Sequence, residues 1–165
     1  MKSKELDALF LEALKDIYYA ERKILRALPK MIRAAQSDQL KQAFQKHKDE
    51  TEGQKERLDQ VFEMLGRRAQ GKTCPAIDGI IEEGEEVMDT FKGSPALDAG
   101  LLAAAQAVEH YEMARYGTLC AWAQVLGMQD AADLLAQTLE EEKRTDETLT
   151  QLAESDVNQM AVAAA

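Results

Sequence analysis

Apolar residues recur at helical spacing along most of this chain. Leu6, Phe10, Ala13, Ile17, Ile24, Leu28 and Met31 share one face of a predicted helix from about Lys4 to about Ala35. Ser3 suits its N-cap, with Glu5 and Asp7 in the opening turn. Pro29 lies inside the pattern. It lacks a backbone donor and crowds the preceding turn, so it could kink the helix, and a break there is the alternative to one continuous helix. A short turn near Gln36 to Asp38 leads to a second helix, about Gln39 to Leu65. Its face carries Leu40, Phe44, Leu58, Val61, Phe62 and Leu65, and Gly66 closes it. The basic, glycine-containing stretch Arg67 to Pro75 reads as a loop. Ala76 to Phe91 reads as a shorter helix that buries Ile77, Ile80 or Ile81, Val87 or Met88, and Phe91. Gly93 ends it. Ser94 and Pro95 then suit the N-cap and first residue of a third long helix, which runs to about Leu126 and stops at Gly127. A fourth spans about Gln129 to about Ser155, and the AVAAA tail is expected to fray. No alternating β-branched run argues for a strand.

The four long segments fall into two short-looped pairs, joined by a link of about residues 66–94 with a short helix of its own. That connectivity predicts an all-α, ferritin-like four-helix bundle: two antiparallel hairpins and a long crossover carrying an extra helix. Helices of about 25 to 30 residues would span about 40 to 45 Å. One domain over residues 1–165 is expected, with its core at about residues 4–155; 165 residues suffice for a substantial core.

Composition sharpens this picture. Ala, Leu, Glu, Gln and Lys dominate, and only Pro29, Pro75 and Pro95 interrupt. A net charge of −10 argues against nucleic acid and anionic membranes as partners, and suits a protein that attracts cations. No apolar run reaches membrane-spanning length, and MKSKELDALF does not read as a signal peptide. Cys74 and Cys120 lack metal or redox spacing, so two reduced thiols and a cytoplasmic location are expected.

The informative departures from the pattern are acids on apolar faces. At about 100° per residue, Glu21 falls beside Ile17, flanked by Phe10, Ile24 and Leu28. Glu112 is near the centre of the stripe formed by Leu101, Ala105, Val108, Tyr116 and Leu119, and Glu109 faces inward one turn earlier. Glu142 lies among Ala131, Leu135 and Leu149, with Asp146 one turn on. On the second helix His47 and Gln54 are central and Glu50 sits at the edge. His110 points away from Glu112, and Tyr116 faces inward well enough to donate to these acids. With 30 acids in the chain, any single one falls near an apolar face by chance. The agreement carries the weight: each long helix places an acid near its middle, where bundle packing brings the levels together. Buried carboxylates are costly unless something positive meets them, and cations take carboxylate oxygens from several directions.

The segments YYAERKIL, FQKHKDETEGQKERLDQVF, CPAIDGIIEEGEE, VEHYEMARYGTL and TLEEEKRTDETLTQLA resemble the YciE/YciF group of ferritin-like stress proteins, the domain of unknown function 892 family. The likeness covers about Leu6 to about Ala153. It implies a ferritin-like fold, association into dimers or larger assemblies, and a link to bacterial stress response. More distantly, the acids are similar to those of rubrerythrins and other di-iron carboxylate proteins, whose ligand glutamates would match Glu21, Glu109, Glu112 and Glu142. The usual Glu-x-x-His motifs are not kept. The second helix reads His47-x-x-Glu50 in reversed order, and the fourth has Thr145 at the histidine spacing.

The leading expectation is therefore a carboxylate-bound pair of iron or manganese ions reacting with oxygen or peroxide. Glu21 and Glu142 would be terminal ligands, Glu50 and Glu112 would bridge, Glu109 or Asp146 would complete the shell, and His47 would ligate one ion. The alternative is a non-catalytic stress-response module in which the acids pair with Arg, Lys or His47, Arg115 being nearest the Glu112 face. An iron-storage cage is a weaker third option.

Overall fold

The computed structural model describes residues 5–163. The elements in chain order are α1 (Leu6–Ala34), α2 (Asp38–Met64), α3 (Pro75–Thr90), α4 (Leu97–Val125) and α5 (Gln129–Leu152). A π-helical turn at Ala153–Val157 then leads into α6 (Asn158–Ala163). Among the described residues there is no strand, and no helix is long and apolar enough to cross a membrane.

The four long helices form a bundle in which α1 packs on α2 and α4, while α5 packs on α4 and α2. The shorter α3 lies across α1 and α4. α1 runs as one continuous helix through Pro29, as its apolar periodicity predicts, without the break that the proline threatened. Leu28 is buried, and Met31 and Ile32 pack on the core just beyond the proline. That packing offsets the roughly 3 kcal/mol that an interior proline costs. Sequence periodicity also missed Leu14 and Ala20, which are buried on α1.

Several boundaries differ from expectation. Ser3 lies outside the described residues, and Glu5 occupies the N-cap of α1. Ser37 caps α2, its side chain accepting from the Leu40 amide at 3.4 Å. Ser94 and Pro95 do not open α4. Ser94 Oγ accepts from the Ala96 amide at 3.1 Å within a turn, and the helix begins at Leu97. Asp98 outweighs that local start signal. Its buried carboxylate accepts from the Gln36 amide (2.8 Å) and the Ser37 amide (2.7 Å), tying the start of α4 to the α1–α2 turn. The chain also continues past Ser155 through the π-helical turn into α6, which ends at Ala163, with the last two residues of the tail outside those described.

Gly66 and Gly127 end α2 and α4 with φ of 62° and 73°, a conformation that glycine adopts at no steric cost. Gly100 has a different reason. A Cβ there would meet Val87 Cγ1 at 2.5 Å, so its absence lets α3 lie close on α4. α4 is covered by α1, α3 and α5, with α6 and the π-helical turn also against it, and for that reason it buries residues over most of its circumference.

Candidate metal centre

Four helices bring five ionisable side chains into the dry middle of the bundle: Glu21 from α1, His47 from α2, Glu109 and Glu112 from α4, and Glu142 from α5. All four glutamates have 0% relative exposure, and His47 has 3%. The local reason is visible along α4. Glu109, Glu112 and Tyr116 continue the register of Leu101, Ala105 and Val108, so packing that stripe drives the acids inward with it. His47, Glu109, Glu112 and Glu142 each offer one ligand atom, and these atoms all lie within 4.8 Å of one another. Glu21 adjoins them, held by a hydrogen bond from the Tyr116 hydroxyl to its Oε1.

Most of the cluster has no partner. Glu21 Oε2 and both carboxylate oxygens of Glu109, Glu112 and Glu142 are buried without a hydrogen bond. His47 Nε2 lies 2.9 Å from Glu109 Oε1, but the approach is misaligned and neither atom gains a hydrogen bond from it. No lysine or arginine among the described residues ion-pairs with any of the four acids. Arg115 is exposed and stacks over the Tyr111 ring at 5.3 Å, so it does not neutralise Glu112 as the alternative expectation supposed.

The electrostatics follow from this geometry. Burial pushes the Glu21 carboxyl up to about 8, and the Glu142 charge adds to it, while the Tyr116 hydrogen bond and His47 oppose. Glu109 is likewise pushed up to about 8, chiefly by burial. Burial raises Glu112 and Glu142 well above the usual carboxylate range, reinforced by the charges of neighbouring acids. The Tyr116 hydroxyl is raised as well, first by burial and then by Glu21 and Glu112. Desolvation disfavours charge, and like charges disfavour it further. A cation reverses both effects; protons shared between facing carboxyls relieve them in part.

The remaining candidates lie apart from this group. Glu50 is half-buried, accepts from Thr145 Oγ1 at 3.2 Å and lies 3.8 Å from Lys46 Nζ. Asp146 accepts from Gln106 Nε2 at 3.3 Å and lies 3.1 Å from His110 Nε2. Both are near enough for their charges to raise Glu109. The α2 side chain drawn into the close group is thus His47, in keeping with its central place on that helix face. Sequence reasoning passed over the neighbouring network in which Gln54 Nε2 (3.1 Å) and Arg57 Nη1 (2.8 Å) both donate to Glu141 Oε2. Gln54 was legible as central on α2, but Glu141 follows from no spacing rule. The Asp98 contacts left no signal either, because their partners stand 61 and 62 residues away.

A helical bundle with a buried carboxylate–histidine cluster is the class that fold and site define. The chain belongs to the domain of unknown function family DUF892, whose pattern matches residues 5–162. It is 47% identical over 162 residues to Protein YciF of Escherichia coli strain K12, covering 98% of each chain. The crystal structure of that E. coli stress protein superposes with a TM-score of 0.89 at 47% identity, covering 96% of this chain and 99% of the other. YcfI of Rhodopseudomonas palustris, for which a structural role has been suggested, superposes with a TM-score of 0.86 at 48% identity, over 90% and 95% of the two chains. A Xanthomonas campestris protein at 19% identity, with a TM-score of 0.74 over 94% and 96% of the chains, shares the fold.

Proposed function

We propose that this protein is a stress-associated, ferritin-like metal-binding protein. It would hold two iron or manganese ions in the centre of the bundle. The observation that carries this reading is the set of buried carboxylate oxygens without a hydrogen bond on Glu21, Glu109, Glu112 and Glu142. Leaving one ionised carboxylate uncompensated costs several kcal/mol, and leaving several together costs more. The donor set, carboxylates with a single imidazole, fits iron or manganese better than a soft ion. Glu21, His47, Glu109, Glu112 and Glu142 would be the ligands, with Glu50 and Asp146 available from the rim. When bound, the ions would supply one-electron chemistry toward oxygen or peroxide. The chain's own part is to exclude water, hold the carboxylates from four helices, and fix Glu21 through Tyr116. We read the connectivity as two antiparallel hairpins with α3 on the crossover, and the assembly as a cytoplasmic homodimer or larger homo-oligomer. The free thiols of Cys74 and Cys120 are consistent with that location.

The raised carboxyl pKa values favour one second reading. At neutral pH the acids can carry protons, bond to one another and need no metal. The protein would then be a non-catalytic helical module of the stress response. Elemental analysis after chelator-free purification separates the two. The metal reading expects near-stoichiometric iron or manganese, lost in Glu21→Ala and Glu112→Ala. Full metal retained by both variants, or none in the wild type under metal-replete expression, would refute it.

A further inference from the structure

His47 borders two clefts. One, about 20 Å³, is flanked by Ala43 and Leu149 as well as by Lys46, Glu50, Thr145 and Thr148. The other, about 30 Å³, lies where α3 crosses α1 and α4. Its walls are almost wholly apolar, formed by Ile24 and Leu28 of α1, Ile80 and Ile81 of α3, and Ala105 and Val108 of α4. On its border Lys30 and Glu85 form an exposed ion pair of 2.9 Å that ties α1 to α3. Gly84 of α3 is buried in this wall, and a Cβ there would come into van der Waals contact with Ala104 Cβ at 3.4 Å and narrow the cleft.

From this geometry we infer that the apolar cleft binds a small uncharged molecule, dioxygen in the cell, and presents it to the His47 side of the acidic cluster. The destination rests on the metal reading above; the cleft itself does not. Its almost wholly apolar lining offers water few hydrogen bonds, and apolar cavities accept apolar guests. Charged and strongly hydrated species are disfavoured on the same ground.

Xenon is the probe, because it binds apolar cavities whether or not metal is present. Crystals of the full chain, both chelator-treated and iron-supplemented, would be pressurised with xenon. A xenon peak is expected between α1, α3 and α4 in both. The peak should vanish in Ala27→Leu, whose added atoms enter the cleft, and weaken in the milder Gly84→Ala, which guards against a folding defect in the first variant. In iron-loaded protein Ala27→Leu should bind the same amount of iron but oxidise it several-fold more slowly with oxygen. No xenon in the wild-type cleft, xenon undiminished in Ala27→Leu, or an unchanged oxidation rate in that variant would each overturn the inference. Absence of metal in every sample would instead remove the proposed function and the oxidant's destination with it, while the xenon peak still decides the cleft.

Discussion

Glu112→Gln should make the metal-free protein more stable at alkaline pH, not less. Glu112 is fully buried, both its oxygens lack partners, and three neighbouring acids crowd it. The scale can be worked from Glu21, raised from 4.5 to about 8 in the same cluster. A carboxyl whose folded pKa lies above its unfolded value supports folding fully below the unfolded pKa. That support is lost as pH rises through the folded one, at about 1.4 kcal/mol per pH unit. For a group shifted from 4.5 to about 8 the loss is on the order of 5 kcal/mol. Glutamine keeps the shape of the protonated acid and cannot ionise. In EDTA at pH 8 the variant should therefore gain on the order of 1–4 kcal/mol, below the full linkage loss because the amide is itself a buried polar group. At pH 5 the gain should nearly disappear. Urea unfolding read by circular dichroism, at constant m-value, measures the difference. Added iron or manganese should reverse the order, because ligand at a hundredfold excess over Kd stabilises the wild type by about 2.7 kcal/mol. A variant destabilised by more than about 1 kcal/mol in EDTA at pH 8 would refute the reasoning, since it would mean that the Glu112 carboxylate is already satisfied.

The other expectations are simpler to state. Metal uptake near pH 7 should release at least one proton per protein, and the number should fall as pH rises through about 8, where the carboxyls of Glu21 and Glu109 ionise beforehand; calorimetry in buffers of different ionisation heat counts the protons. Tyr116→Phe should leave Glu21 with no donor, displace the Glu21 titration upward in carboxyl-resolved NMR, and cost the metal-free protein about 1–3 kcal/mol above pH 8, where Glu21 is ionised, and less at low pH. Asp98→Ala should cost about 2–4 kcal/mol, because two backbone amides lose a charged acceptor, and hydrogen exchange should quicken at Gln36 and Ser37 before anywhere else.

How far the sequence reaches depends on the range of the interaction. The approximate extents of α1 to α5 followed from periodicity and glycine stops, because a helix's hydrogen bonds and buried stripe are written within a few residues of one another. Glu21, Glu109, Glu112 and Glu142 were visible for the same reason: each stands in its own helix's apolar register, and packing that register buries it. The choice of His47 over Glu50 as the inward residue of α2 was only half legible, since both lie near one face and the neighbouring helices decide which is enclosed. Tertiary structure alone decided the start of α4 at Leu97 and the detachment of Arg115 from Glu112. It also set the Asp98 tie and the close lie of α3 over Gly100. Each of these depends on an atom contributed from a distant part of the chain, and local propensity carries no record of what arrives from there.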